Sequence, residues 1–476
     1  MAFNSFAFLV FFPLVTGIYF MLAHRFRWMW LLLASCIFYM FFIPQYIIIL
    51  FVTISIDYLA GIKIAQTTGK VKKRYLWLSI VSTILVLAIF KYAGFLSSNV
   101  SLLTHVLGFH KNLPVLNIVL PIGLSFHTFQ SLSYVVEVYR GKQQPEKHFG
   151  IYALYVMFYP QLVAGPIERP QQMLHQFYEK HAFKYNQAAS GLKLMAWGFF
   201  KKLVIADRLA TIVNPVYSHP GHYTGAVLAL ATLLFAQQIY CDFSGYSDIA
   251  IGAARVMGFN LMKNFNTPYF SKSISEFWTR WHISLSTWFR DYVYIPLGGN
   301  RVVRWRWYYN IMVVFLLSGL WHGANWTYVI WGALNGVYLI AEAATKSWRK
   351  KILAALLPAW LISALGIFTT FILITLSWVF FRANTCADAL LILSKIFSAS
   401  LFSINYTSFI NLYVLAPGLT LIAMLELIQA WHKKFNIAVF LSQKPVYFRF
   451  ALYSLFIMAI LNLGVFSSSG FIYFQF

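Results

Sequence analysis

Acidic residues are scarce in this sequence: 13 Asp and Glu stand against 37 Lys and Arg among 476 residues, and charged residues together make up only 11%. Soluble domains carry about 25% charged residues, so a water-facing globule is excluded. Polar linkers, low-complexity segments and short repeats are also missing. There are three cysteines, Cys36, Cys241 and Cys386, each in or beside an apolar run. An odd, scattered three supports neither a disulfide framework nor a metal motif. No HExxH, paired metal histidines or GxSxG occurs, so metalloprotease and serine-hydrolase chemistry lack support and no metal is expected. The first residues lack the basic n-region and small-residue cleavage site of a signal peptide, and Met1 to Tyr19 reads as a retained first helix.

What is present is hydrophobicity, at 60% of the chain. Apolar runs of the roughly 20 residues that a helix needs to cross a bilayer recur from Phe6 to the last residues. They are apolar on all sides instead of alternating, which selects helices over strands. The fold class expected is an all-α polytopic membrane protein of roughly ten to thirteen transmembrane or re-entrant helices. It forms a single integral-membrane domain over residues 1–476, with its core at about 115–340.

A net charge of +24 would suggest nucleic acid in a soluble chain. Here the basic residues fall in short clusters between apolar runs, the positive-inside pattern, so the partner expected is the lipid bilayer and not nucleic acid. Arg25 and Arg27, the Lys63–Arg74 loop, Arg140 with Lys142 and Lys147, Lys346 to Lys351, and Lys433 with Lys434 all read as cytoplasmic. Both termini then lie outside, His105 to Leu113 forms an external loop, and His432 is interfacial. From Ile151 to Ala210 the pattern blurs. Gly165 to Pro170 interrupts one run, while Lys201, Lys202, Asp207 and Arg208 sit inside the next. Irregular backbone at membrane depth requires cover by protein or water.

The segment from Phe277 to Trp331 holds two histidines, His282 and His322, each directly after a tryptophan. Phe277, Trp281, Leu285, Trp288 and Tyr292 recur on one face, predicting a single amphipathic helix of about 15 residues, too short to span. His282 on that helix points toward protein or a cavity. The run Trp307 to Leu339 is flanked on both sides by basic clusters, yet two full spans need about 40 residues. It therefore predicts two short helices turning inside the membrane, or one span after a re-entrant arm, with Gly319 and Gly323 easing the turn. His322 would then lie about 24 Å deep at 1.5 Å per helical residue.

An imidazole takes up or donates a proton near neutral pH, and an intramembrane histidine is a functional candidate by default. The alternative is a core histidine bonded to a backbone carbonyl, which is the reading for His127. Asp242 and Asp248 either steer a ligand or pair with Lys or Arg. Arg280 and the Arg290-Asp291 pair read mainly as ion pairing, and Gly298-Gly299 as a turn. Asn325 would share a helical face with His322 if that helix continues, and packs or binds substrate there. Cys241 is a weak nucleophile candidate, because apolar surroundings disfavour the thiolate.

At several of these positions the sequence resembles the membrane-bound O-acyltransferase superfamily, and within it the bacterial alginate O-acetyltransferase branch. The matching motifs are Pro121 to Gln130, Val163-Ala164-Gly165-Pro166-Ile167-Glu168-Arg169-Pro170, Asp242-Phe243-Ser244-Gly245-Tyr246-Ser247-Asp248, Asn264-Phe265-Asn266-Thr267-Pro268-Tyr269, Phe277 to Arg301, and Leu320-Trp321-His322-Gly323. They occur in family order. His127 departs from the aromatic or apolar residue expected there.

The resemblance implies a ring-like bundle with a thinned centre, His322 at the essential histidine and His282 at the second position. It implies transfer of an acetyl group from a cytoplasmic thioester donor, acetyl-CoA, to an extracytoplasmic polysaccharide, with a periplasmic partner protein, in the bacterial inner membrane. Trp321, Asn325, Asp242, Asp248 and Arg280 are the further candidates for substrate contact. Two rivals remain at this stage. One is a transporter or channel for polysaccharide or lipid-linked sugar, because broken helices also mark transport paths. The other is D-alanyl transfer to teichoic acid, which the Pro296 to Arg301 segment resembles less.

Overall fold

The computed structural model describes residues 1–108, 121–163, 165–402, 412–434, 443–466 and 470–472. No strand occurs among them. The chain opens with α1 (Phe6–Met21), α2 (His24–Met40), α3 (Tyr46–Gln66) and α4 (Gly69–Val106). Then come α5 (Leu124–Tyr139), α6 (Phe149–Met157) and two single turns, α7 (Tyr159–Leu162) and α8 (Pro170–Met173). Next, α9 (Tyr185–Phe199) passes through a π-helical segment, Phe200–Ala206, into α10 (Asp207–Ser218), and α11 (Gly225–Val256) follows. The central elements are α12 (Ile274–Arg280), α13 (Ile283–Phe289), α14 (Arg304–His322) and α15 (Trp326–Leu356). The chain closes with α16 (Ala359–Arg382), α17 (Cys386–Ile396), α18 (Leu412–Lys434) and a last helix, Val446–Leu463.

Among the described residues, five helices are long and apolar enough to cross a bilayer: α3, α4, α11, α16 and Val446–Leu463. They play different parts. On α4, α16 and the last helix most side chains face outward, as lipid-facing helices do, whereas α11 is buried along most of its length. Around α11 stand α9, the π segment, α10 and α16. Among the described residues of 151–210 no single helix is both long and apolar enough to cross a bilayer, and the irregular backbone there is covered by protein. Tyr155 donates its hydroxyl to the Glu168 carbonyl at 3.0 Å, and the buried Glu168 carboxylate accepts the Met262 N–H at 2.6 Å.

Several sequence expectations shift here. Arg25 and Arg27 lie in the first turn of α2, and Lys346 to Lys351 lie inside α15. Long basic stems let a helix run on while the charge reaches out to a polar site, so a basic cluster need not end the helix. Part of the His105–Leu113 loop, the start of the Val115 run, Ala164 and the His432 side chain fall outside the described residues.

The acidic residues of α11 are paired. Lys201 reaches Asp248 at 2.8 Å and Ser244 at 2.9 Å, while Lys202 bridges Asp242 at 2.5 Å and Asp207 at 2.9 Å. Consecutive lysines both turn to α11 where the helix widens into π geometry, a departure that recurs at functional or strained sites.

The central block departs most from expectation. The single helix predicted over Phe277–Tyr292 is two short helices, α12 and α13, broken at Trp281-His282, with a π turn at Arg290–Tyr294. The run beyond Arg304 is a helical hairpin, α14 and α15, turning at 323–325, but α15 is not the short helix expected and continues for 31 residues through the Lys346–Lys351 cluster. Gly319 does not ease that turn. A Cβ at Gly319 would strike the Tyr328 carbonyl, and one at Gly332 the Phe315 carbonyl, so the two glycines let α14 and α15 cross backbone to backbone. Gly332→Val should therefore force the hairpin apart and cost about 1–3 kcal/mol, the usual range for overpacking. Thermal unfolding in detergent would read this loss, and a variant melting with wild type would refute the close crossing.

Candidate active site

His282 occupies the break between α12 and α13 in a left-handed conformation, φ 43° and ψ 56°. Such a backbone is rare outside glycine and persists only where its surroundings enforce it. Asn264 does so. Its carbonyl accepts the Ile283 N–H at 2.9 Å, and its Oδ1 accepts the Ser284 N–H at 3.2 Å and the Ser284 hydroxyl at 2.9 Å. Nearby, the Asn266 N–H donates to the Arg280 carbonyl at 2.9 Å. His282 Nδ1 lies 3.1 Å from the same Asn264 Oδ1. The Ser284 amide only donates, so that atom is an acceptor and Nδ1 carries the proton. Nε2 is left as the lone-pair nitrogen, with no hydrogen-bond partner among the described residues.

His322 is the last residue of α14, buried and ringed by aromatic faces. Its imidazole stands 4.7 Å from Trp321, 5.0 Å from Trp331 and 5.2 Å from Phe381, between ring centroids. Trp331 stacks on Trp378 at 5.7 Å, and Trp378 lies 5.1 Å from Trp281. The two histidines share a neighbour. Trp321 is 6.2 Å from His282 and 4.7 Å from His322, which holds the imidazoles closer than the roughly 15 Å beyond which one hydrogen-bonded site would be impossible.

The other candidates divide. Trp321 separates the two imidazoles and donates its indole N–H to the Ser125 carbonyl at 3.4 Å. Asn325 does not share a face with His322, because α14 ends there. It caps α15 instead, accepting the Thr327 N–H at 3.1 Å and donating to the Asn384 carbonyl at 3.1 Å. Arg280 is ion-paired with Glu276 at 2.5 Å, and Asp291 joins Arg290 at 2.8 Å and Arg169 at 3.1 Å. Asp242 and Asp248 hold the lysines described above. His127 is a buried core histidine, but its Nε2 lies 3.3 Å from the Thr53 hydroxyl and not against a backbone carbonyl.

Two residues escaped the sequence reading. Asn264 carried a visible signal, an amide inside a motif already singled out, but only the fold brings it to His282. The other is Lys91, a cation in the apolar stretch of α4 well past the basic residues Lys70 to Arg74 at its start, which reaches the end of α14.

Beyond the histidines, an aromatic column runs from Trp321 to Phe129 at 5.1 Å, to Trp288 at 4.1 Å and to Tyr292 at 5.0 Å. Tyr292 lines a cavity of about 620 Å³ together with Arg140, Lys142, Arg169 and Asp291. The Arg140 and Arg169 guanidiniums stand over the Tyr292 ring at 5.1 and 4.6 Å. No group of side chains suited to a metal ion occurs among the described residues.

The fold defines a class, an all-helical, multi-pass membrane protein, and in it two buried imidazoles lie near one tryptophan. The family model described as MBOAT, membrane-bound O-acyltransferase family, matches residues 18–381, and the chain belongs to that family. It is 38% identical over 431 residues to a probable alginate O-acetylase AlgI of Pseudomonas aeruginosa, covering 90% of this chain and 81% of the relative. A peptidoglycan O-acetyltransferase of Helicobacter pylori is 36% identical, covering 77% and 72%. A teichoic acid D-alanyltransferase of Bacillus subtilis is 32% identical over 50% of this chain and 62% of its own length. The protein is an O-acyltransferase, which sets the transporter reading aside.

Proposed function

We propose that this enzyme moves acetyl groups from acetyl-CoA on the cytoplasmic side to hydroxyls of an extracytoplasmic polysaccharide. The observation that carries the reading is the pair of imidazoles held against Trp321 at the end of α14. His322 takes the proton of the acceptor hydroxyl as its oxygen attacks the thioester carbonyl. The C–S bond breaks, and His322 returns that proton to the departing thiolate. His282, fixed by Asn264, aligns the acceptor through its lone-pair nitrogen. The polysaccharide class follows the names of the relatives, and the greater coverage by acetyl-transferring relatives favours acetyl over D-alanyl.

The cavity beside Arg140 and Lys142 suits the phosphates of the donor, and the aromatic column leads from it toward His322. On this reading the enzyme sits in the bacterial inner membrane with both termini outside, and a periplasmic protein completes the transfer. Purified protein given labelled acetyl-CoA should release the thiol and pass label to a hydroxyl acceptor. Monodisperse enzyme that leaves the thioester intact would overturn the donor assignment. Arg140→Ala combined with Lys142→Ala should raise the KM for acetyl-CoA several-fold with kcat nearly unchanged, since contacts made equally to ground and transition states act on KM alone. A wild-type KM in that variant would separate the cavity from the donor.

A further inference from the structure

We infer that Lys91 is a positioning residue for His322: reaching across from α4, its ammonium holds the final carbonyls of α14 and so fixes the imidazole at that helix end. This builds on the assignment of His322 as the proton-transfer group.

The last carbonyls of any helix lack intrahelical partners, and the last residue is the first to fray. A left-handed glycine commonly closes such an end. Gly323 cannot serve that way, because its backbone is extended, φ −165° and ψ 152°, and its N–H makes only a 3.4 Å bond to the Gly319 carbonyl. The cap comes from another helix. Tyr92 donates its hydroxyl to the Leu320 carbonyl at 2.6 Å, and Lys91 Nζ donates to the Trp321 carbonyl at 2.6 Å and the His322 carbonyl at 3.1 Å.

A cation at this end also meets the negative pole of the α14 dipole. The same face of α4 secures the start of α15, where the Trp326 indole donates to Asn99 Oδ1 at 2.9 Å. Thus α4 grips both sides of the 323–325 turn. Beyond its basic first turns, Lys70 to Arg74, α4 is an apolar span whose side chains mostly face outward, and an ammonium within such a span is costly. A methionine would fill the position without that cost. What methionine lacks is the capacity to donate to two successive carbonyls, and those carbonyls belong to Trp321 and His322.

The test compares Lys91→Met, Lys91→Arg and Tyr92→Phe in purified enzyme with labelled acetyl-CoA. Lys91→Met should lower kcat by about 10²-fold, the scale of a 1 Å misplacement, with the donor KM unchanged. Lys91→Arg, which still donates, should recover most of that loss. In a His322→Ala background, Lys91→Met should cost nothing further, because the group it positions is gone. Wild-type kcat in Lys91→Met, an equal added loss in the His322→Ala background, or a matched rise in KM would each overturn the inference. Should Lys91→Met not fold, Tyr92→Phe decides: a several-fold fall in kcat at constant KM supports the cap, and wild-type kcat refutes it. The two assignments fail separately. Full activity in His322→Ala removes the role of His322, whereas an inactive His322→Ala beside a fully active Lys91→Met removes only that of Lys91.

Discussion

His322→Ala should lower acetyl turnover by about 10²–10⁴-fold, the range that a positioned general acid or base contributes. On the proposed mechanism the loss should appear in kcat, with the donor KM held, because the imidazole would act on the proton in flight and the cavity proposed for the donor lies at the far end of the aromatic column. The variant should fold, since the ring makes edge-type contacts with Trp321, Trp331 and Phe381 and alanine removes one side chain from an aromatic cluster. His282→Ala should produce a smaller fall. Thiol release from labelled acetyl-CoA measures both, and unaltered turnover in His322→Ala would refute the assigned chemistry.

The second large effect is on stability. Lys202 lies between Asp207 and Asp242, and all three are buried. Lys202→Met would leave two carboxylates enclosed without their shared cation, and breaking a buried pair costs about 3–5 kcal/mol. Replacing all three by neutral residues of similar size should recover much of the loss, since the penalty belongs to uncompensated charge and not to missing contacts. Thermal unfolding in detergent or nanodiscs reads both variants. A Lys202→Met protein within about 0.5 kcal/mol of wild type would show that the cluster contributes nothing to the fold.

This cluster also shows how far a linear reading reaches. Lys201, Lys202 and Asp207 are visible as charges inside an apolar run, and Asp242 and Asp248 as carboxylates in another. Their pairing needs the packing of the π segment on α11, and π geometry leaves no mark in local residue preference. His282 shows the same limit. The period of Phe277, Trp281, Leu285, Trp288 and Tyr292 describes one helix, yet Asn264 takes up the Ile283 and Ser284 N–H groups where the helix breaks. Asn325 was a neighbour of His322 only on condition that the helix ran on past Gly323, and the turn at 323–325 removes that condition.

By itself the sequence determined the solvent and the class of fold. Scarce charge and long apolar runs permit only membrane helices, because lipid leaves no unpaired backbone group satisfied. It also determined the two histidines and a break in the run that holds His322, but not the length of α15, which continues through the second basic cluster. Tertiary structure alone decided that both imidazoles meet at Trp321, that Asn264 sets the tautomer of His282, and that Lys91 closes the end of α14. Each of these joins residues far apart in the chain. Such contacts are chosen by which helices pack together, and no local period encodes that choice.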